Sequence, residues 1–431
     1  MAKDSQRKRP SDAPQTETRY LSAGERRAKG KALRETVPRA SQAGWNAPTG
    51  RRDPVELLSE SNAGRVEELI PIRFGRMAAS PFAFYRGAAA LMAADLASTP
   101  TSGIRVQACG DAHLMNFGGF ATPERNVIFD VNDFDETLPA PFEWDLKRLA
   151  ASVVIAAQFL KLPDSDAARV TTDLVREYRE RMADYASMRA LDVWYDKIDM
   201  QRYEDRAGDP ATVQAARKRM AARVEEAKRK TVPDHLYPKL VVMEGPKPRI
   251  KDDPPLIFHP TEAMAPGLAS GYSAAIAAYR ESLPEHTRTL FDRFRFFDLA
   301  FKVVGVGSVG TPCTICLFMA ADDDPLFLQV KEARASVLEP YAGKSLHANH
   351  GQRVVVGQRI MQAATDVFLG WTRGMNGRDV YVRQLRDMKL SAIIADCDTK
   401  MQLRRTPATA PPAQPPQTIR SQRRLRPASR A

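Results

Sequence analysis

Gly110-Asp111-Ala112-His113-Leu114-Met115-Asn116 places an Asp five residues before an Asn. That spacing suits phosphoryl transfer, in which the Asp orients and deprotonates an acceptor hydroxyl and the Asn oxygen holds a metal. His113, between them, is a second catalytic candidate that would orient the loop or the acceptor. A plain hydrogen-bonded turn accounts for the same residues without chemistry. Further on, Asp130-Val131-Asn132-Asp133-Phe134-Asp135-Glu136 gathers four carboxylates and an Asn in seven positions. Such a density near a core calls for a cation, and Mg²⁺ takes carboxylate oxygens while keeping water or phosphate in its other positions. Asn116 and Asp133 are the expected ligands, Asp130 competes with Asp133, and Asp135 stands beside them. A solvated acidic loop is the bland alternative.

Gly305-Val306-Gly307-Ser308-Val309-Gly310 is a GxGxxG between two strand-like runs. A dinucleotide turn needs a helix immediately after it, whereas a kinase phosphate loop needs a strand. The following Thr311-Pro312-Cys313-Thr314-Ile315-Cys316-Leu317-Phe318 is β-prone and favours the second, with Gly305, Gly307, Ser308 and Gly310 cradling phosphates. Leu326 to Val330 then ends in Lys331, 21 residues after Gly310, matching the lysine that pairs with α/β-phosphates. Its acidic partner is open: Glu332 and Glu339 are near, but the next helical run offers Gln352, Gln358 and Gln362. Cys313-x-x-Cys316 lies in a strand, where its thiols point to opposite faces, and reads as core.

The elements that must position these groups can be read more coarsely. Ser80-Pro81 begins a helical run to Ala97. Ile104 to Ala108 reads as a strand, Asn116 to Asp133 as a hairpin, and Glu143 to Leu160 as a buried helix. Ser165 to Tyr185 and Pro210 to Lys230 read as charged or amphipathic helices, and Val232 to Pro260 as loops with a short hairpin. Thr261 to Phe297 reads as helix broken at Pro266 and Pro284. Strands alternate with turns from Phe301 to Val330, a helix follows near Gly351 to Ala364, and Asn376-Gly377 closes a last hairpin.

Several stretches resemble a bacterial family known as domain of unknown function 2252: Pro71-Ile72-Arg73 through Gly87, GDAHLMNFGGF, DVNDFDETLPAPFEWDLKRLAAS, FKVVGVGSVGT and QVKEARASVLEPY. The resemblance covers about residues 55 to 390. It implies a distant likeness to the protein-kinase-like and aminoglycoside-phosphotransferase-like superfamily, where a Gly-Asp…Asn loop, an Asp-Phe strand end and a downstream Asp-Leu helix recur. Asp145-Leu146 fits the last of these in a structural role. Asp135 stands where kinases have the Gly of Asp-Phe-Gly. The order is reversed relative to a kinase, since Asp111, Asn116 and Asp133 precede Gly305 and Lys331. The expected fold is therefore α+β, two-lobed and protein-kinase-like but circularly permuted. A disordered basic tail over 1–53 precedes a mainly helical catalytic lobe with a metal-binding hairpin over 54–300. A β-rich nucleotide-binding lobe over 301–395 and a disordered Arg/Pro-rich tail over 396–431 follow. The likeness fades after about Ile394, and the tail composition fits a shifted reading frame.

The 431 residues carry 64 Lys+Arg and 52 Asp+Glu, a net charge of +12. The excess sits at the ends: Met1 to Asp53 and Arg404 to Ala431 each carry +7, leaving −2 between them. A basic folded face for specific nucleic-acid binding is not expected. Leu149 to Leu160, the longest apolar run, is too short for a membrane span. No secretory signal stands at the N-terminus, and four Cys form no disulfide framework, so a cytoplasmic protein is expected. The expected activity is a Mg²⁺-dependent, ATP-using phosphotransferase acting on an unidentified hydroxyl-bearing acceptor. A catalytically impaired nucleotide-binding relative is the alternative, and a metal-dependent hydrolase using Asp111, His113, Asp130 and Asp133 a third.

Overall fold

The computed structural model describes residues 21–199, 236–261, 268–322, 324–374, 377–385 and 390–391, with a few positions between 222 and 232. The expected helix over 210–230, apart from three of its residues, and the tail over 396–431 lie outside the described residues. The chain divides into two compact units, residues 1–44 and 45–431. In the first, Ala23–Thr36 forms helix α1. Ser22 Oγ accepts from Glu25 N while Glu25 returns to Ser22 N, a reciprocal cap. Together with good helix formers, it corrects the expectation of a structureless tail for these residues.

In the second unit, α2 (Pro54–Glu60), α3 (Ile70–Ala78), α4 (Pro81–Gly87) and α5 (Ala89–Ala97) come first. Ser80 caps α4 through Ala83 N as its sequence suggests, but the expected single helix breaks at Ala88. Then come β1 (Arg105–Ala108), β2 (Phe117–Ala121), β3 (Val127–Val131) and β4 (Leu138–Pro141). Two long helices follow, α6 (Phe142–Phe159) and α7 (Asp164–Ser187), then α8 (Ala190–Tyr195) and β5 (Ile198–Asp199). β2 and β3 pair antiparallel, Phe117 opposite Val131, which is the expected hairpin. β1 pairs with β4, so the residues after β1 and those before β4 lie side by side.

The chain continues through α9 (Tyr237–Leu240), β6 (Val241–Glu244), β7 (Lys247–Ile250), β8 (Ile257–Phe258), α10 (Leu268–Ser282) and α11 (Glu285–Phe291). It then runs through β9 (Arg295–Lys302), β10 (Cys313–Met319), β11 (Pro325–Glu332), α12 (Glu339–Ala342), α13 (His350–Met361), β12 (Gly370–Arg373), β13 (Asp379–Gln384) and β14 (Leu390–Ser391). Six strands form one antiparallel sheet in the order β12-β13-β11-β10-β9-β8. The strand begins at Arg295, inside the run expected to be helical to Phe297, because Phe294, Phe296 and Phe297 are better suited to a half-buried pleat. β8 belongs to this sheet too, so a boundary at 300 does not separate it from the helices.

Strand alternation gives the sheet two different faces. Leu328, Val330 and Val382 join Cys316, Phe318, Tyr279 and Phe291 under α10 and α11. Phe327, Ile315 and Leu317 join Ile250, Ile257 and Leu240 on the other face. A third core mixes early and late chain: Cys109, Phe117, Val131, Phe134 and Leu149 pack with Ala333, Val354, Met361, Leu369 and Tyr381. That core presses α13 and β13 against the loops that follow β1 and β3.

Candidate functional site

Helix α6 holds the first loop. Asp145, Arg148 and Ser152 stand at i, i+3 and i+7 of a largely apolar helix and so share a face. Asp145 accepts from Cys109 N (2.6 Å) and Gly110 N (2.9 Å), and Ser152 Oγ accepts from Leu114 N (3.0 Å). Arg148, almost wholly buried, donates to Asp111 Oδ1 from Nε (2.7 Å) and again from a terminal nitrogen. Its guanidinium also lies 4.5 Å from the Tyr85 ring centre. Burial pushes the Asp145 carboxyl up to about 6 against the pull of the two amides. Gly110 has φ +83°, and a Cβ there would lie 2.3 Å from the Glu136 carbonyl oxygen, so no other residue fits.

This places Asp111 at the start of the loop with Oδ1 fixed by Arg148 and Oδ2 3.9 Å from His113 Nε2. His113 is buried and edge-on to Phe82, and burial pulls its pKa down to about 4, with Arg148 and Arg86 helping against Asp111. Burial therefore favours its neutral form at pH 7. Asn116 Nδ2 donates to the carbonyls of Asp111 (3.1 Å) and Asp133 (3.0 Å), tying the two loops together and turning Oδ1 the other way.

The acidic run does not act as one cluster. Asp130 accepts from Val131 N (2.7 Å) and bears on Tyr185 of α7. Asp133 and Asp135 face the sheet instead: Lys331 Nζ lies 3.5 Å from Asp133 and 2.7 Å from Asp135. Tyr381, opposite Lys331 in the register of β11 and β13, donates to Asp135 at 2.6 Å. Burial pulls the Lys331 ammonium down, but Asp133 and Asp135 outweigh it and hold its pKa well above the ordinary value. Glu136 turns inward to Val337 N (2.7 Å), and burial pushes its carboxyl up to about 7.

The partner left open by the sequence is thus Asp135, 196 residues before Lys331. The helix expected to supply it supplies Arg353, which donates to the carbonyls of Thr137 (2.6 Å), Asp135 (2.8 Å) and Arg334 (2.7 Å). Sequence reading missed Arg353, Arg148, Tyr381 and Arg383. The i, i+3, i+7 spacing of polar residues on α6 was a usable signal for Arg148; no local pattern marks the others. Arg383, beside Lys331 on the same sheet face, donates to Gln329 Oε1 (3.0 Å) and to the Asn132 carbonyl (3.2 Å).

The Gly-rich segment joins β9 to β10. Gly305 and Gly310 have φ of +70° and +81°. Its carbonyls are held from the helices: Arg76 donates to Gly305 (2.7 Å), Arg65 to Val309 (2.6 Å) and Val66 N to Gly310 (2.8 Å). Among the described residues, the amides of Gly305, Gly307 and Ser308 donate to no protein acceptor. Gly307 backs onto Arg86, a Cβ there falling 3.1 Å from the Arg86 carbonyl oxygen.

Among the described residues, no group of three or more His, Cys, Asp or Glu is gathered to hold a metal ion. Asn116 and Asp133, joined through the Asn116 amide and the Asp133 carbonyl, each carry a side-chain oxygen of the kind Mg²⁺ takes, a cation that commonly takes only one or two protein ligands when phosphates supply the rest. Cys313 and Cys316 are buried free thiols on opposite sheet faces, as expected of core residues. A separate cavity of ≈ 670 Å³ lies on the other side of the sheet from Lys331, lined by Tyr272, Ile276, Phe296, Leu299, Val330 and Val382.

A family model described as uncharacterized protein conserved in bacteria (DUF2252) matches residues 65–410. The chain belongs to this family. The DUF2252 match runs past Ile394, where the likeness was expected to fade, and takes in Asp111, the acidic run, the Gly-rich segment and Lys331. Neither the curated proteins nor the solved structures contain a match to the chain. Among the described residues, no helix is long and apolar enough to cross a membrane.

Proposed function

We propose that this DUF2252 protein is a Mg²⁺-dependent phosphotransferase that uses ATP and a hydroxyl-bearing acceptor, on a permuted kinase-like fold. One observation carries the reading: Lys331 lies 2.7 Å from Asp135 and 3.5 Å from Asp133, beside the loop of Asp111 and Asn116. Groups far apart in sequence meet there, and that meeting supports the reading. The order of parts also supports it. A Gly-rich segment joins two adjacent antiparallel strands and the Lys stands on the third, as in kinases. In this reading the small lobe is β9 to β13 with α13, and the loops after β1 and β3 belong to the catalytic lobe.

Mg²⁺, when bound, would neutralise phosphate charge. The chain's own residues divide the remaining work. Lys331 binds the α/β-phosphates, exchanging Asp135 for them. The amides of Gly305, Gly307 and Ser308 face phosphate oxygens. Asn116 and Asp133 hold the cation. Asp111, fixed through Oδ1 by Arg148, takes the acceptor proton on Oδ2. Positioning and electrostatics supply most of the acceleration in such sites.

A thermal-shift titration tests this. ATP with Mg²⁺ should raise the melting temperature where neither alone does so to the same extent, because a ligand of the native state stabilises it. A Mg²⁺ shift indifferent to ATP would instead favour the hydrolase, although no three-carboxylate or His site among the described residues supports it.

The second reading, a nucleotide-binding relative without turnover, draws on two observations. No acid of α13 pairs with Lys331, and the sheet face beyond Gln329 is closed by Ile250, Ile257 and Leu240 over Ile315, Leu317 and Phe327. ATP binding without phosphoryl release or transfer, in wild type and Asp111→Asn alike, would establish it.

A further inference from the structure

Arg86 lies in the last turn of α4, where a cation ordinarily meets the helix carbonyls and serves only the helix end. Its surroundings here are different. Among the described residues its guanidinium makes no hydrogen bond or ion pair, and its Nε is buried without a partner. The side chain is half-buried, with the Nε shielded and the terminal nitrogens open to an arriving group, and a shielded donor of this kind normally finds an acceptor.

Three features locate the space it faces. Its own carbonyl supports Gly307 at the middle of the Gly-rich segment. Asp111 and Asp133 are the charges that bear on it most strongly, and Arg86 in turn bears on His113. The end of α4 thus backs the middle of the Gly-rich segment, and the charge it carries is felt by the expected metal ligand and the expected base without an ion pair closing on either carboxylate. Lys331 does the opposite and is engaged by Asp135. The free fork therefore answers to a group that arrives between those three features, and an anion of tetrahedral oxygens matches its donors.

We propose that Arg86 binds the phosphoryl group being transferred, so that it distinguishes a nucleoside triphosphate from a diphosphate. The assignment rests on the phosphotransferase reading and adds to it a residue from outside the four sequence motifs. Arg86 supplies a charge-assisted pair of hydrogen bonds to the terminal phosphate, while Lys331 serves the inner ones.

The test measures the affinity of the full chain for MgADP and for the Mg²⁺ complex of the imido analogue of ATP, by calorimetry, for wild type, Arg86→Met, Arg86→Lys and the surface control Arg52→Met. Unliganded melting curves first verify that each variant folds. Arg86→Met should lose about 10–100-fold in affinity for the triphosphate analogue and change less than about 3-fold for MgADP. Arg86→Lys should fall between, and Arg52→Met should match wild type. If Arg86→Met folds and keeps the wild-type ratio of the two affinities, the assignment of Arg86 is wrong while the phosphotransferase reading stands. If wild type binds neither nucleotide, both fall together. Should Arg86→Met not fold, Arg86→Lys decides alone, an unchanged ratio overturning the proposal.

Discussion

Lys331 and Asp135 form an unequal pair: the ammonium is buried, while the carboxylate keeps about a quarter of its side chain exposed (28%). Replacing Lys331 by Met should remove nucleotide binding and destabilise the fold by roughly 1–3 kcal/mol, since it leaves a half-buried carboxylate without its cation. Adding Asp135→Asn should recover most of the stability and none of the binding, as denaturant unfolding and calorimetry would show; a double variant as unstable as the single would mean that the pair is not the source of the loss. Asp111→Asn separates chemistry from binding. It should leave the nucleotide affinity within about 3-fold and lower turnover by at least about 100-fold, the ordinary contribution of a general base. At this scale the sequence was informative where spacing is local. Asp111 to Asn116 and the polar face of α6 are within one loop or one helix. The partner of Lys331 was not legible, because a hydrogen bond across 196 residues leaves no local pattern.

Elements explain why the loops stay where they are. Gly110 lies between β1 and the loop of Asp111, and Gly110→Ala would set a methyl group against the Glu136 carbonyl in a strained backbone. It should cost about 2 kcal/mol or more and lower turnover together with stability; a melting temperature unchanged from wild type would contradict the close approach. One of the two glycines of α13 is similar in kind: a Cβ on Gly357 would lie 2.4 Å from Thr137 Cγ2, so the helix can lie tight against the residues before β4. Most strands and long helices followed from periodicity, including the β2–β3 hairpin and the strands around the Gly-rich segment. Two readings failed for different reasons. The run into Phe297 has apolar residues that satisfy either period, and only packing on the sheet decides it. The run through Ala88 is helical on both sides, and the break comes where Ala88 packs on Met77 and Leu58. α1 escaped because its residues bury nothing, leaving capping as its only signal.

The whole second unit shares one core across its chain ends. Cys109, Phe134 and Leu149 pack with Val354, Leu369 and Tyr381, so the sheet bearing Lys331 and the loops bearing the acids should melt in one cooperative transition by calorimetry. Two separable transitions would show that the parts hold together less than this core implies. The buried acids give the unit a definite pH response. Glu136 has its folded-state pKa raised from 4.5 to about 7, so its contribution is fully present below about 4.5 and is lost as pH rises through about 7. Asp145 acts in the same direction, and His113, lowered to about 4, in the opposite one. Glu136→Gln isolates the first. Between pH 5 and pH 8 wild type should lose up to about 3 kcal/mol relative to the variant in denaturant unfolding. Parallel stability curves would show that Glu136 does not titrate in that window.

The reversed order of the parts also sets a schedule. A ribosome adding roughly 5–20 residues each second releases Asp135 some 10–40 s before Lys331. For that interval the acids, the loop of Asp111 and α6 exist without the strand and helix that close over them. The site therefore belongs to the last stage of synthesis, and its long-range contacts favour slow folding. A chain interrupted anywhere between residues 137 and 330 carries every acidic group of the site and none of its lysine.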